Sequence, residues 1–135
     1  MKNKMRGLVV TFALVGLAAA GCAGGGSKSS SGGTSKGQFS SAKEIIDTAA
    51  TKGLTCTDAS DDNGELFTRD GWRCTVADGD TVTAHTFSDN GLRDKWIEAA
   101  KQYGGNFVSG DKWAVTADSP ALALQVQAAV GGKTL

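Results

Sequence analysis

A tract of glycine and serine near the N-terminus limits how much of this chain can fold. Between Ala23 and Gln38, eleven of sixteen residues are Gly or Ser. Such a segment has too few apolar side chains to bury a core, so we expect it to act as a flexible tether. The segment that follows, residues 39–135, has 97 residues. That length is enough for one small domain and not for two.

The residues before this tract have the order of an export signal. Lys2, Lys4 and Arg6 precede a largely apolar stretch from Leu8 to Ala20, and Cys22 follows directly after small residues. The apolar stretch is shorter than the roughly 20 residues that a transmembrane helix needs. The pattern therefore favours a secretory signal over a membrane span.

The position of Cys22 resembles the lipobox of bacterial lipoproteins. In that family the signal is removed before the cysteine, whose thiol then carries acyl chains. The resemblance implies a signal peptide in residues 1–21, a lipidated Cys22 with its tether in residues 22–38, and a single domain in residues 39–135. The alternative is an ordinary cleaved signal that leaves Cys22 as a free thiol, which is a chemical liability outside the cell.

The predicted domain is acidic, although the whole chain is neutral. Residues 39–135 contain all 14 acidic residues but only nine of the 14 basic ones, which gives a net charge near −5. This sign argues against nucleic-acid binding and against attraction to anionic lipid. We therefore expect no nucleic-acid partner, and we expect the acyl chains on Cys22 to provide the membrane contact.

Cys56 and Cys74 are the two remaining cysteines. In an exported domain an even pair predicts a disulfide. The chain has no Cys-x-x-Cys motif and only one histidine, so neither a redox role nor a cysteine-based metal site is predicted.

Helix-capping residues and apolar periodicity predict the order α-β-β-β-α-β-β-α. Helices are expected to begin after Ser41, after Ser88 or Asp89, and after Ser119. The predicted strands are Leu54–Asp58, Gly71–Val76, Thr81–Phe87, Asn106–Ser109 and Trp113–Ala117. The economical arrangement is a two-layer α+β fold, in which a five-stranded antiparallel sheet carries the three helices on one face. The buried stripe of the second helix is predicted to be Leu92, Trp96, Ala99, Ala100 and Tyr103.

The length of the turn between the second and third strands decides which of their residues share a face. A two-residue turn puts His85 and Phe87 on the same face as Cys74. A three-residue turn puts Val82 and Ala84 there instead, and leaves His85 and Phe87 on the opposite face. The apolar character of Val82 and Ala84 favours the second alternative.

No pattern in the sequence predicts catalysis. His85 is the only histidine, and the nucleophile and orienting acid that a catalytic histidine needs are not identifiable by motif. We interpret it as a strand histidine that meets solvent or a backbone carbonyl. The sequence therefore predicts a protein that is not an enzyme and that has no catalytic residues and no cofactor.

The polar segment between the two cysteines is similar to a calcium-binding loop. If Gly64 takes the sixth position, Asp61 and Asn63 become ligands and Asp70 becomes the closing carboxylate. The first position is then Ala59, which has no ligand oxygen. A solvated acidic loop is therefore favoured, and no metal site is predicted.

Phe67 lies in the same polar segment and is the aromatic residue that we expect to be exposed. Exposed aromatic side chains are common anchors for binding partners, so Phe67 is the candidate binding residue. Trp96 falls on a helical apolar stripe, and Trp72 and Trp113 fall on strands, so we assign all three to the core.

The whole layout resembles the small alanine- and aspartate-rich lipoproteins of actinobacteria. The shared features are the lipobox cysteine Cys22, the tether, a disulfide-bearing α+β domain and the hairpin Gly110-Asp111-Lys112-Trp113-Ala114-Val115. The resemblance implies a location in the cell envelope more than an activity. The tether, the small disulfide-bearing domain and the lack of a catalytic motif lead us to expect a lipid-anchored, extracytoplasmic binding module, whose partner is an envelope protein or a wall component. Some prophages encode short lipoproteins that block DNA injection by a second phage, so superinfection exclusion is an alternative. A small envelope hydrolase is a third.

Overall fold

The computed structural model describes residues 38–135. The helices are α1 (Ala42–Thr51), α2 (Asn90–Lys101) and α3 (Pro120–Val130). The strands are β1 (Cys56–Asp61), β2 (Asp70–Val76), β3 (Thr81–Thr86), β4 (Asn106–Gly110), β5 (Trp113–Ala117) and β6 (Lys133–Thr134). The predicted signal peptide, Cys22 and the tether up to residue 37 lie outside the described residues. Within residues 38–135, no helix has the length and apolar character needed to cross a membrane.

Each helix begins at a capping residue that the sequence predicts. The side chains of Ser41, Asp89 and Ser119 each accept a hydrogen bond from the backbone N–H three residues further on. Between Ser88 and Asp89, which the sequence left open, the cap is Asp89. Pro120 occupies the first turn of α3, where the N–H that proline lacks would have no partner within the helix.

Within residues 38–135 the sheet has six strands, so the prediction of five was wrong. Its order is β1-β2-β3-β5-β4-β6, and every neighbouring pair is antiparallel. The additional strand is β6, which pairs with β4 through Val108 and Ser109. Gly131 and Gly132, both at positive φ, precede it. A strand of two residues is too short to show an apolar alternation, which is why the sequence did not predict it.

The register between β2 and β3 confirms the three-residue turn. Cys74 pairs with Val82 and Trp72 pairs with Ala84, so these four residues share one face. Gly79, with φ of 84°, lies at the end of the turn in the left-handed conformation that glycine adopts at little cost. The same register places His85 on the opposite face.

The helices lie on both faces of the sheet, and the prediction that they share one face was wrong. The core that includes α1 and α3 contains Val82 and Val115. On the opposite face, Trp96 of α2 packs in a second core with Phe87 and Phe107, at ring-centroid separations of 5.7 and 6.2 Å. The central strands are therefore covered from both sides, which leaves α2 to form one wall of any site on the second face.

Cys56 and Cys74 form the predicted disulfide, which joins β1 to β2. The two Cα atoms are 5.4 Å apart, and Cys74 is fully buried in the larger core. Strand β1 lies at the edge of the sheet and is exposed along nearly its whole length. The covalent link therefore holds an edge strand that contributes little apolar burial of its own.

Candidate functional site

An open cavity of about 550 Å³ lies on the face of the sheet that α2 covers. The β1–β2 loop borders it with Asp62, Glu65 and Phe67, the sheet contributes His85, and α2 contributes Trp96. Apolar side chains thus form much of its wall, whereas two carboxylates and an imidazole come together at one side.

The imidazole of His85 is buried in this wall. The residue is 1% exposed, and its ring centroid lies 4.7 Å from that of Trp96. Among the described residues, neither ring nitrogen has a hydrogen-bond partner. The sequence interpretation of a histidine that meets solvent or a backbone carbonyl was therefore wrong, because β3 is covered on both faces.

Burial lowers the pKa of His85 below its usual value. The carboxylates of Glu65, Asp62 and Asp70 act in the opposite direction, and Arg73 adds to the lowering. Because desolvation of the charged form is the largest of these effects, the ring is held neutral at neutral pH. A neutral imidazole keeps an unprotonated nitrogen with a lone pair.

Two carboxylates from the β1–β2 loop approach the Nε2 atom of His85. Nε2 lies 3.6 Å from Oδ2 of Asp62 and 3.7 Å from Oε2 of Glu65. Both separations are too long for hydrogen bonds. Oδ2 of Asp62 is itself buried and has no hydrogen-bond partner within the described part of the chain. The three side chains each offer one ligand atom, and these atoms lie within 4.8 Å of one another.

Neighbouring donors hold the two carboxylates in position. Nη2 of Arg73 donates to Oδ1 of Asp62 at 3.2 Å, which leaves Oδ2 directed towards His85. Nε1 of Trp96 donates to Oε2 of Glu65 at 2.7 Å. A carboxylate oxygen has two lone pairs, so Oε2 keeps acceptor capacity on the side of His85.

The loop reaches His85 because the facing residue on β2 is a glycine. Gly71 pairs with His85 across the strands. Its carbonyl oxygen accepts a hydrogen bond from the Asp62 N–H, and its own N–H donates to Oδ1 of Asn63. A Cβ at position 71 would lie 2.1 Å from the carbonyl oxygen of Asp62 and 3.1 Å from the His85 ring. Any other residue there would push the loop away from the sheet.

The calcium-loop alternative does not form. Oδ2 of Asp70 accepts a hydrogen bond from the Ala42 N–H at 2.9 Å, and its Oδ1 accepts one from the Thr86 hydroxyl. Asp70 therefore ties α1 to β3 and is not directed into the loop. Asp61 accepts a hydrogen bond from Asn63. The side chains that converge with His85 are Asp62 and Glu65, neither of which is a side-chain ligand in the calcium-loop pattern.

Among the described residues, three large apolar side chains that border the cavity are exposed. Phe67, the candidate from the sequence, is 37% exposed, Leu66 is 73% exposed and Tyr103 is 92% exposed. The prediction that Ala99 and Tyr103 belong to the buried stripe of α2 was wrong. Ala99 is exposed, and Tyr103 lies in the turn that follows the end of the helix at Lys101. Trp96, in contrast, is buried as predicted.

No protein-family model, no curated protein and no solved structure matches this chain. The interpretation of the cavity therefore depends on its own geometry and chemistry.

Proposed function

We propose that this chain is a lipid-anchored binding protein on the extracytoplasmic face of a bacterial cell membrane, and that the cavity beside α2 holds its ligand. The observation that carries the proposal is the cavity of about 550 Å³ bordered by Leu66, Phe67 and Tyr103. Small-molecule sites have volumes of about 300–1,000 Å³ and mostly apolar walls. Apolar side chains clustered at the mouth of such a cavity are typical of a contact surface.

The chemistry of the cavity defines the class of ligand. Phe67 and Trp96 offer aromatic surfaces for an alkyl or ring portion, and Asp62, Glu65 and His85 offer polar contacts at one side. We infer an amphipathic small molecule of the cell envelope, with its apolar part against the aromatic residues. The acidic character of the domain disfavours nucleic acid as a partner.

The anchor determines where such a ligand would be met. Acyl chains on Cys22 would hold the domain at the membrane, and the Gly/Ser tether has a root-mean-square reach of roughly 20–25 Å. Two or three acyl chains suffice for stable anchoring. The test is expression of the full chain in a bacterium, followed by fractionation of the parent and of Cys22→Ala. We expect the parent in the membrane fraction and the variant outside it. Equal membrane retention of both would contradict the anchor.

The cavity is tested separately, with the fluorescent dye anilinonaphthalene sulfonate as an amphipathic probe. We expect saturable binding to the parent chain, and weaker binding to Phe67→Ala and to Tyr103→Ala. Leu124→Ala is the matched control, because Leu124 is also an exposed apolar residue but lies on α3, away from the cavity. Dye affinity that is the same in all four proteins would contradict the assignment of the cavity as the ligand site.

A further inference from the structure

His85 is an unusual residue to bury in the second core. Its two ring nitrogens and Oδ2 of Asp62 are buried without hydrogen-bond partners in the described residues. Leaving a buried polar atom unpaired costs about 1–3 kcal/mol, so most buried polar atoms in folded proteins are paired. Here the unpaired Nε2 of His85 faces Oδ2 of Asp62 and Oε2 of Glu65, whose carboxylates are oriented by Arg73 and Trp96.

We propose that Asp62, Glu65 and His85 form a binding site for one divalent transition-metal ion, with Zn²⁺ as the best fit. This departs from the sequence prediction, which assigned no metal ligand. The site does not depend on the small-molecule ligand proposed above, and either proposal can fail without the other.

The two distances from Nε2 of His85 fit a shared ion, and the third pair of ligand atoms, on Asp62 and Glu65, lies within 4.8 Å. Zinc holds nitrogen and oxygen ligands at about 2.0–2.1 Å, so two ligands at the tetrahedral angle lie about 3.4 Å apart. The separations from Nε2 of His85, 3.6 Å to Asp62 and 3.7 Å to Glu65, exceed this by only a few tenths of an ångström. Glu65 lies in the loop with about half of its side chain exposed, so a small inward movement is open to it.

The kinds of ligand select the class of metal. Calcium and magnesium prefer sites made entirely of oxygen atoms, whereas imidazole favours zinc and its first-row neighbours. Histidine binds a metal through an unprotonated ring nitrogen, and Nε2 of His85 is buried without a hydrogen-bond partner among the described residues. Cys56 and Cys74 are joined to each other and do not compete as thiolates.

The surroundings also resemble those of protein metal sites. Metal ligands are normally oriented by hydrogen bonds from a second layer of residues. Arg73 holds Asp62 and the Trp96 indole holds Glu65 in this way. All three proposed ligands border the cavity, so an ion has a route of access, and three protein ligands leave a coordination position for water or a bound molecule.

The test is titration of the metal-free full chain with Zn²⁺, by calorimetry and by equilibrium dialysis. All proteins carry Cys22→Ala, so that an unmodified thiol does not bind the ion. We expect one ion per chain, and an affinity that falls at least about tenfold in Glu65→Gln and in His85→Phe, the scale reached when supporting residues of metal sites are changed. Asp61→Asn is the matched control, because Asp61 is exposed in the same acidic segment but does not face His85.

Spectroscopy supplies a second readout. Co²⁺ in place of Zn²⁺ should give the visible absorption of a low-coordinate site with nitrogen and oxygen ligands, and it should quench the fluorescence of Trp96, whose ring packs on His85. Circular dichroism checks that each variant is folded. Glu65→Gln is the substitution least expected to disturb folding, because about half of the Glu65 side chain is exposed to solvent. Absence of stoichiometric binding would overturn the proposal. The proposal would also be overturned if Asp61→Asn lost as much Zn²⁺ affinity as the ligand variants. The same holds if folded Glu65→Gln and His85→Phe bound Zn²⁺ with unchanged affinity.

Discussion

Replacement of Gly71 by alanine tests the contact on which the whole site depends. The new Cβ would lie 2.1 Å from the Asp62 carbonyl oxygen and 2.9 Å from its carbonyl carbon. These are backbone atoms, so the clash can be relieved only by moving the β1–β2 loop. That movement breaks the hydrogen bond from the Asp62 N–H to the Gly71 oxygen, 2.9 Å, and the one from the Gly71 N–H to Asn63, 3.1 Å.

The expected cost follows from these two effects. Overpacking costs about 1–3 kcal/mol, and each lost hydrogen bond costs about 0.5–1.5 kcal/mol. Because relaxation of the loop relieves part of the clash as the hydrogen bonds break, we expect Gly71→Ala to lower the free energy of unfolding by about 2–4 kcal/mol. For a domain of this size each kcal/mol corresponds to about 4–8 °C in Tm.

Urea denaturation of the oxidised protein measures this change. The control is Gly91→Ala in the first turn of α2, where the nearest atom to a Cβ is the Asp89 side chain at 3.1 Å. There the gain in helix propensity, about 1 kcal/mol, offsets mild crowding, so little change is expected. A Gly71→Ala protein within about 0.5 kcal/mol of the parent, the range of ordinary surface substitutions, would refute the idea that the loop is seated on β2.

Three further predictions concern the disulfide, a helix cap and the buried histidine. Joint replacement of Cys56 and Cys74 by alanine should lower the free energy of unfolding by about 3 kcal/mol, as expected for a loop closed across a sequence separation of 18, and urea midpoints of the parent and the variant check this. Asp89→Ala should cost about 1 kcal/mol because it removes the cap of α2, whereas Ser88→Ala should cost almost nothing; equal losses would contradict the assignment of the cap. Because burial lowers the pKa of His85, the unfolded chain takes up the proton first as the pH falls. The contribution of His85 to stability is therefore complete above pH about 6.5, its unfolded value, and is lost as the pH falls towards the lower folded pKa. His85→Phe should flatten that part of the stability profile measured in metal-free buffer, and an unchanged slope would contradict it.

The helices were predictable because their signals are local. Ser41 and Ser119 are recognisable as caps from the few residues that follow them, and the structure confirms both. The face of the sheet on which each helix packs is not determined by neighbouring residues in the sequence. The sequence does hint that both faces are covered, because residues 113–115 of β5 are consecutive and apolar, and the structure buries all three. Such a run is expected for a strand that is covered on both faces.

The edge strand β1 was placed too early in the chain for a related reason. It is exposed along nearly its whole length, so it has no apolar alternation to mark its end. The predicted strand stopped at Asp58, whereas the observed one continues to Asp61. Those additional residues carry the chain to the position where Asp62 contacts Gly71.

The candidate site was missed because its parts are far apart in the sequence. The sequence shows no partner for His85 close to it in the chain, and the acidic segment is similar to a continuous calcium loop that would not include His85. The three-residue turn predicts that His85 lies on the face opposite Cys74. It also makes Gly71 the cross-strand neighbour of His85, a glycine for which the sequence alone suggests no function. A glycine opposite the only histidine, with two carboxylates shortly before it in the chain, was the available signal.

Folding stability alone does not explain why His85 is buried with both ring nitrogens unpaired in the described residues. A phenylalanine at this position would pack against Trp96 without leaving polar atoms unpaired, and exchange of an unsatisfied polar group for an apolar one of similar shape is neutral or stabilising. Gly71 likewise lowers strand stability, yet it is needed to bring Asp62 to the imidazole. Two locally unfavourable residues thus support one arrangement, in which two carboxylates face a neutral imidazole at the side of an open cavity. Local costs that converge on one point are expected at functional sites, where favourable contacts elsewhere in the fold offset them.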